Sequence, residues 1–303
     1  MPTSAELGGV PESRQGAIHD IGYRHYDGPR LGRGYLRTSL FAESLKGSYG
    51  LGRSARSKIM PILLLASISL PALIISLVVA AFGADRLPIT YTSYPFRLQV
   101  AIAIFVAAQA PAIMSRDLRF RVISLYFSRP LSRGDYVLAK YAAMSTALFV
   151  LIALPLTILF LGALLAKLPL RDQLPDYLRA MVAALLYALL IAGIGLLVAA
   201  MTPRRGLGVA AVVSVLLVLS GVQLAVLGIA DEFGYDRLAG YSGLLSPFSL
   251  VDGVATKLLG AQSALPAAPP GTLSGVVFTA VYVVVVVGCY AALLARYRRV
   301  SGA

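Results

Sequence analysis

Charged side chains that could do chemistry are concentrated in one place. Between residues 115 and 140 the chain reads SRDLRFRVISLYFSRPLSRGDYVLAK, with Arg116, Arg119, Arg121, Arg129, Arg133 and Lys140 set against two acids, Asp117 and Asp135. A cluster of this kind supports docking and topology rather than bond-making, since arginine stays protonated at any physiological pH. At 3.6 residues per turn, Leu118, Phe120, Val122, Ile123, Leu125, Tyr126 and Phe127 fill one broad arc and Arg121, Ser124 and Ser128 the other. Arg119 alone interrupts the apolar arc. Pro130 stops the pattern, because the residue before a proline is pushed out of the α region. The spacing predicts a short amphipathic helix over 118–127, inside a basic turn.

Catalytic chemistry has no other foothold in the sequence. It contains no G-x-S-x-G elbow, no H-E-x-x-H pair and no G-x-x-x-x-G-K-[ST] phosphate loop. His19 and His25 have no metal-binding spacing, and Cys289, the single cysteine, leaves neither a disulfide framework nor a thiolate metal site. Neither a catalytic residue nor a cofactor or metal site is expected in this chain. Without a phosphate loop, any active work has to draw its energy from a partner.

The elements that must position the basic turn are apolar. Of 303 residues, 58% are hydrophobic and only 14% charged, and the mean hydropathy is +0.78, far outside the range of ordinary soluble domains. The fold class expected is an all-α polytopic membrane protein. Six segments are long and apolar enough to cross a hydrocarbon core that takes about 20 helical residues, namely 59–83, 96–114, 136–166, 178–201, 207–229 and 273–295. The third is long enough to tilt or project, and Pro155 can bend it. Three divisions follow: a polar segment 1–58, a transmembrane domain 59–295 and a tail 296–303. Within the first, Leu36, Leu40, Phe41 and Leu45 alternate with Arg37, Glu43 and Lys46, which predicts a helix over 35–49 lying in the membrane interface, or else an ordinary solvated helix.

No Asp, Glu, His, Lys or Arg lies in the middle of any span, so the groups that ion-driven carriers need at depth are missing. Gln109, Gln223 and Tyr187 are the candidates for a translocation path, with Tyr282 and Tyr290 as further buried polar groups. Each serves equally as a hydrogen bond between helices. Runs of small residues at 192–195 and 199–200, with Gly208 and Gly221, predict close helix packing. Between the last two spans, 241–260 is apolar but interrupted by Pro247, Asp252 and Lys257, which fits two short helices dipping into the outer leaflet or a loop resting on headgroups.

Basic residues fix the expected orientation. Twenty of the 27 Lys and Arg fall on the side that holds both termini and the basic turn, and seven on the other, while the acids divide evenly. Both termini are therefore expected in the cytoplasm. The formal charge of +13 is explained without nucleic acid.

The turn also resembles a known motif. Ser115-Arg116-Asp117, the helix 118–127, Phe127-Ser128-Arg129-Pro130-Leu131-Ser132-Arg133 and Lys140 opening the third span look like the coupling loop of permease subunits of type II ABC exporters, the ABC-2 type family. That family often has Glu where this chain has Asp117, and Gly-Thr where it has Arg121-Val122. Ser246-Pro247-Phe248 resembles its outer re-entrant segment, and residues 18–33 resemble the N-terminus of actinobacterial members. The resemblance implies a plasma-membrane permease that pairs with a second permease, identical or related, and with two copies of an ABC ATPase subunit that bind ATP and Mg. It further implies ATPase contact through Asp117, Leu118, Arg121, Val122, Leu125, Phe127, Arg129, Pro130 and Arg133. Two readings stay open beside it: a non-transporting scaffold that recruits a cytoplasmic partner through the basic turn, and a tether whose arginines only set topology.

The charge split gives a direct test of orientation. In intact cells, cysteines at Ser13 and Ser301 should be shielded from an impermeant thiol reagent while one at Ser263 labels, all in a Cys289→Ala background; labelling of Ser13 from outside would reverse the assignment.

Overall fold

Apolar runs of helical length fold as helices wherever the structure describes them, and no strand occurs among the described residues. A computed structural model of the chain describes residues 28, 32–52, 54–114, 131–202 and 204–300. The expected helix over 118–127 lies outside the described residues, as do Asp117, Arg129 and Pro130. In chain order the elements are α1 (Arg33–Ser48), α2 (Ala55–Phe82), α3 (Ser93–Arg97), α4 (Gln99–Ile113), α5 (Arg133–Leu165), α6 (Leu170–Met201), α7 (Arg205–Glu232), α8 (Asp236–Tyr241), a 3-10 turn (Ser242–Leu245), α9 (Pro247–Leu258) and α10 (Leu273–Val300).

Five of these, α2, α5, α6, α7 and α10, are long and apolar enough to cross a membrane. The expected second span differs. It is divided at Leu98, where φ −103° and ψ 19° leave the helical range, into α3 and the 15-residue α4. At 1.5 Å per residue α4 is roughly 22 Å long, less than the hydrocarbon core of about 30 Å. Its burial explains how this is tolerated. Every residue from Phe105 to Pro111 is buried, two full turns that cover the whole circumference, with α5, α6 and α7 against them. A helix without a lipid face need not match the bilayer by itself.

Around α4, α5 packs along both α2 and α6, α7 lies against α4 and α6, and α10 leans on α6. Close approach depends on small residues, as expected at 192–195 and Gly208. A Cβ at Gly195 would overlap the Val106 side chain, and one at Gly208 would lie 3.1 Å from Pro111. Gly221 does not belong with them, because it faces open space. The closest contact of α2 and α5 was not anticipated: a Cβ at Gly162 would collide with the Ser76 side chain, whose Oγ donates to Ile158 O at 3.2 Å.

Two further boundaries shift. Helix α6 begins at Leu170 rather than 178, and its first three turns carry Arg171, Asp172, Asp176 and Arg179, which a hydropathy criterion excludes. Asp172 sits in the positive end of the helix dipole, and Asp176 pairs with Arg179 at 2.7 Å. The interrupted stretch 241–260 holds the 3-10 turn and a single α-helix, α9, with α8 just before it, and α9 is enclosed by protein on α6 and α10. Pro247 at its first turn presets the helix, and Phe248, Val251, Asp252 and Val254 are all buried.

Gly162→Leu should therefore drive α2 from α5. Overpacking of a fixed contact costs about 1–3 kcal/mol, which would appear as a lowered Tm of the purified protein, whereas Gly221→Leu should leave Tm unchanged.

Candidate functional site

The two chain ends that flank residues 115–130 are fastened together. Lys140, two turns past the start of α5, is only 6% exposed, and its Nζ donates to Ile113 O at 3.1 Å, in the last turn of α4. A cation at the carbonyl end of a helix meets the negative pole of its dipole, which offsets the burial of the ammonium. The same Nζ stands 5.5 Å over the Tyr136 ring, and Tyr136 meets Tyr297 of α10 with ring centroids 5.2 Å apart. Tyr297 Oη donates to Met114 Sδ at 3.2 Å, and Arg296 Nε donates to Ala200 O at the end of α6. One polar and aromatic cluster thus joins α4, α5, α6 and α10 at the loop end of the bundle.

The start of α5 is built by its own sequence. Ser132 Oγ accepts from Asp135 N at 3.1 Å and Asp135 Oδ2 accepts from Ser132 N at 3.2 Å, a complete capping box. Asp135 also receives α1: Arg33 Nη2 lies 2.8 Å from Oδ2 and Arg37 Nη1 3.5 Å from Oδ1. Further along, Tyr49 Oη donates to Ala147 O at 2.7 Å, so α1 runs beside the first turns of α5. Burial raises the Tyr49 phenol well above its ordinary pKa. Of the nine residues expected to touch a partner ATPase, Arg133 is the one described, and it opens α5.

The three candidates for a translocation path do not meet at one point. Tyr187 is fully buried and its Oη donates to Phe248 O at 3.2 Å, fastening α9 to α6. Gln223 lies one turn beyond Ser220, whose Oγ meets Ser246 Oγ at 3.1 Å and Gln99 Oε1 at 3.4 Å. Tyr187 and Gln223 therefore border the start of α9, away from the loop end. Gln109 sits one turn from Ile113, at the loop end. Gln223 Nε2 and Ser249 Oγ are buried without a hydrogen-bond partner among the described residues. The other tyrosines join helices, Tyr282 to Leu186 O at 3.1 Å and Tyr141 to Leu189 O at 2.7 Å.

Sequence reasoning treated Asp252 as an interruption; the structure makes it an anchor. Its carboxylate is 2% exposed and accepts from Ser263 Oγ at 2.8 Å and from Ala264 N at 3.0 Å. Burial raises its pKa, and the bonds from Ala264, Ser263 and Leu265 pull it back down. These bonds hold the loop between α9 and α10 against α9. The pattern that could have disclosed it is a lone acid among residues that otherwise read as a buried helical face.

Lys140→Met should unfasten α4 from α5. Loss of a hydrogen bond to a charged group costs about 1.5–3 kcal/mol, and Tm should fall accordingly, with faster amide exchange at 110–114. Asp252→Ala should instead speed exchange at 261–266 and leave 110–114 as in the parent.

These contacts make a helical bundle in which the two ends flanking the basic segment meet in one cluster, while α9 lies covered by protein near the opposite end. A family model described as ABC-2 family transporter protein matches residues 76–300, from within α2 to the end of α10. A comparison with curated proteins finds no match. With three quarters of its length, all six apolar segments and the basic turn inside or overlapping that match, the chain belongs to the ABC-2 transporter family and is a membrane-spanning permease subunit of an ABC transporter.

Proposed function

We propose that this permease exports a drug-like, lipidic or peptide compound across the plasma membrane, using ATP and Mg bound by two separate ATPase subunits. It pairs with a second permease, identical or related, and both its termini face the cytoplasm. The observation that carries the mechanism is the bond of Lys140 to Ile113, which spans the basic segment and makes the two helices on either side of it one body. An ATPase that closes on nucleotide pushes on the helix expected over 118–127. The push enters α4 and α5 together, and α4, enclosed by α5, α6 and α7, hands it to the bundle. Gln109 and Gln223, near opposite ends of this route, and Tyr187 beside Gln223 supply polar groups along a path. The separate scaffold reading requires no such connection between the basic turn and a buried helix.

Val122 and Leu125 stand about 60° apart on the apolar arc at 3.6 residues per turn. If the ATPase covers both side chains, each contributes roughly 1.5–3 kcal/mol, and with the desolvation of two carboxylates Val122→Asp with Leu125→Asp should weaken ATPase docking tenfold or more. Co-purification of the ATPase and substrate-stimulated nucleotide turnover are measured on variant protein of parental yield and Tm. A well-folded double variant that keeps its ATPase and its turnover would sink the coupling role.

A further inference from the structure

A cleft of about 330 Å³ opens between α1 and the first turns of α5, its lining surface is almost wholly apolar, and charged groups stand at one rim. At the end nearest the start of both helices stand Arg37 and Asp135, with Arg33 one turn before Arg37. Their charged atoms sit at the rim, and the walls inside are apolar, with Phe41 from α1 and Leu138 and Ala142 from α5. Thr38 adds little polarity, because its hydroxyl is already bonded to Gly34 O and Tyr35 O of its own helix. Leu138 is 48% exposed, an apolar side chain at the mouth of the cleft.

The charged end carries more cation than anion. Two guanidiniums share the single carboxylate of Asp135, and their side chains remain 61% and 50% exposed. Each touches Asp135 through one nitrogen, and a guanidinium has five N–H donors in a planar fork. Asp135 thereby holds both guanidiniums at one end of the cleft, one carboxylate against two cations. Such a pair matches the oxygens of a phosphodiester, and Arg is suited to that geometry.

We propose that this cleft binds an anionic phospholipid, its phosphate on Arg33 and Arg37 and an acyl chain laid along Phe41, Leu138 and Ala142. The arrangement matches the molecule: exposed cations at the rim by the helix starts for the head, and an apolar cleft running along α5 for the hydrocarbon. The choice of an anionic lipid rests on the reading that this end faces the cytoplasm, where the leaflet surface is negatively charged. A lipid held here would bridge α1 to α5 on the outside of the Lys140 cluster.

The test uses the full-length chain in its own membrane and then purified in detergent. A benzophenone side chain placed at Leu138 should, on illumination, form an adduct with a phospholipid. An adduct with protein, whether the ATPase, a second permease or another segment of this chain, would overturn the proposal. By native mass spectrometry, phosphatidylglycerol should be retained at least tenfold more tightly than phosphatidylcholine. Arg33→Gln with Arg37→Gln should abolish that preference, and Ala142→Phe, which fills the cleft and keeps every charge, should weaken retention of phosphatidylglycerol. Soluble glycerol phosphate should compete poorly; displacement by it at concentrations comparable to the lipid would mean a simple phosphate site and also overturn the proposal, as would equal retention of both lipids. Lipid retention needs neither nucleotide nor ATPase, and orientation is read separately by thiol labelling, so failure here is distinguishable from failure of the export reading.

Discussion

Burial of α4 on every side is the condition the rest of the bundle has to meet. In a hydrocarbon surrounding, apolar side chains gain nothing by leaving solvent for one another, so helices associate through contact area and hydrogen bonds. Each atom pair contributes only about 0.1–0.2 kcal/mol, and only at close range. The neighbours of α4 therefore have to come near, and they do so where α6 offers Gly195 to Val106 and α7 offers Gly208 to Pro111. Ala110 of α4 meets Gly195 beside Val106, and Ala103 and Ala107, also buried, are equally shallow. A helix fixed this way supports no lipid face of its own, which is why it is the shortest of the apolar segments.

Hydropathy made the helices legible because a membrane span is a statement about length and composition, and both are written in the chain. It could not show that the second apolar segment is interior, since a lipid-facing helix and a fully enclosed one are equally apolar. For the same reason Gly221 read like Gly208: nothing local tells a glycine in contact from a glycine facing outward. The polar start of α6 escaped because Arg171 and Asp176 lower hydropathy without opposing helix, one serving an exposed turn and the other an ion pair with Arg179.

The site was legible in part, for reasons that differ from residue to residue. Ser132 and Asp135 stand at capping-box spacing, so the start of α5 is local chemistry that the sequence carries in four residues. The acceptor of Lys140 lies 27 residues away and is a backbone carbonyl, which no side-chain pattern can announce. Asp252 misled because a carboxylate in an apolar stretch signals exposure unless its donors are known, and those donors are Ser263 and the Ala264 N–H across a turn. The spans carry no titratable residue at their centres, yet the segments at their ends bury Lys140 and Asp252.

Lys140 and Arg296 each place a cation on the carbonyl end of a helix, α4 and α6, whose dipoles point the same way. Breaking either contact would strand a buried or half-buried charge, and such a charge without a partner costs several kcal/mol. The loop end consequently moves as one body or not at all. Near the start of α9 the balance is reversed. Gln223 Nε2 and Ser249 Oγ have unused hydrogen-bonding capacity beside the Ser220–Ser246 contact, which is a neutral pair at 3.1 Å. Exchanging one neutral hydrogen bond for another costs about a kilocalorie or less, because the donor finds a new acceptor within reach. Rearrangement in this permease is therefore expected where α7 meets α9, driven from a loop end that its buried cations keep rigid.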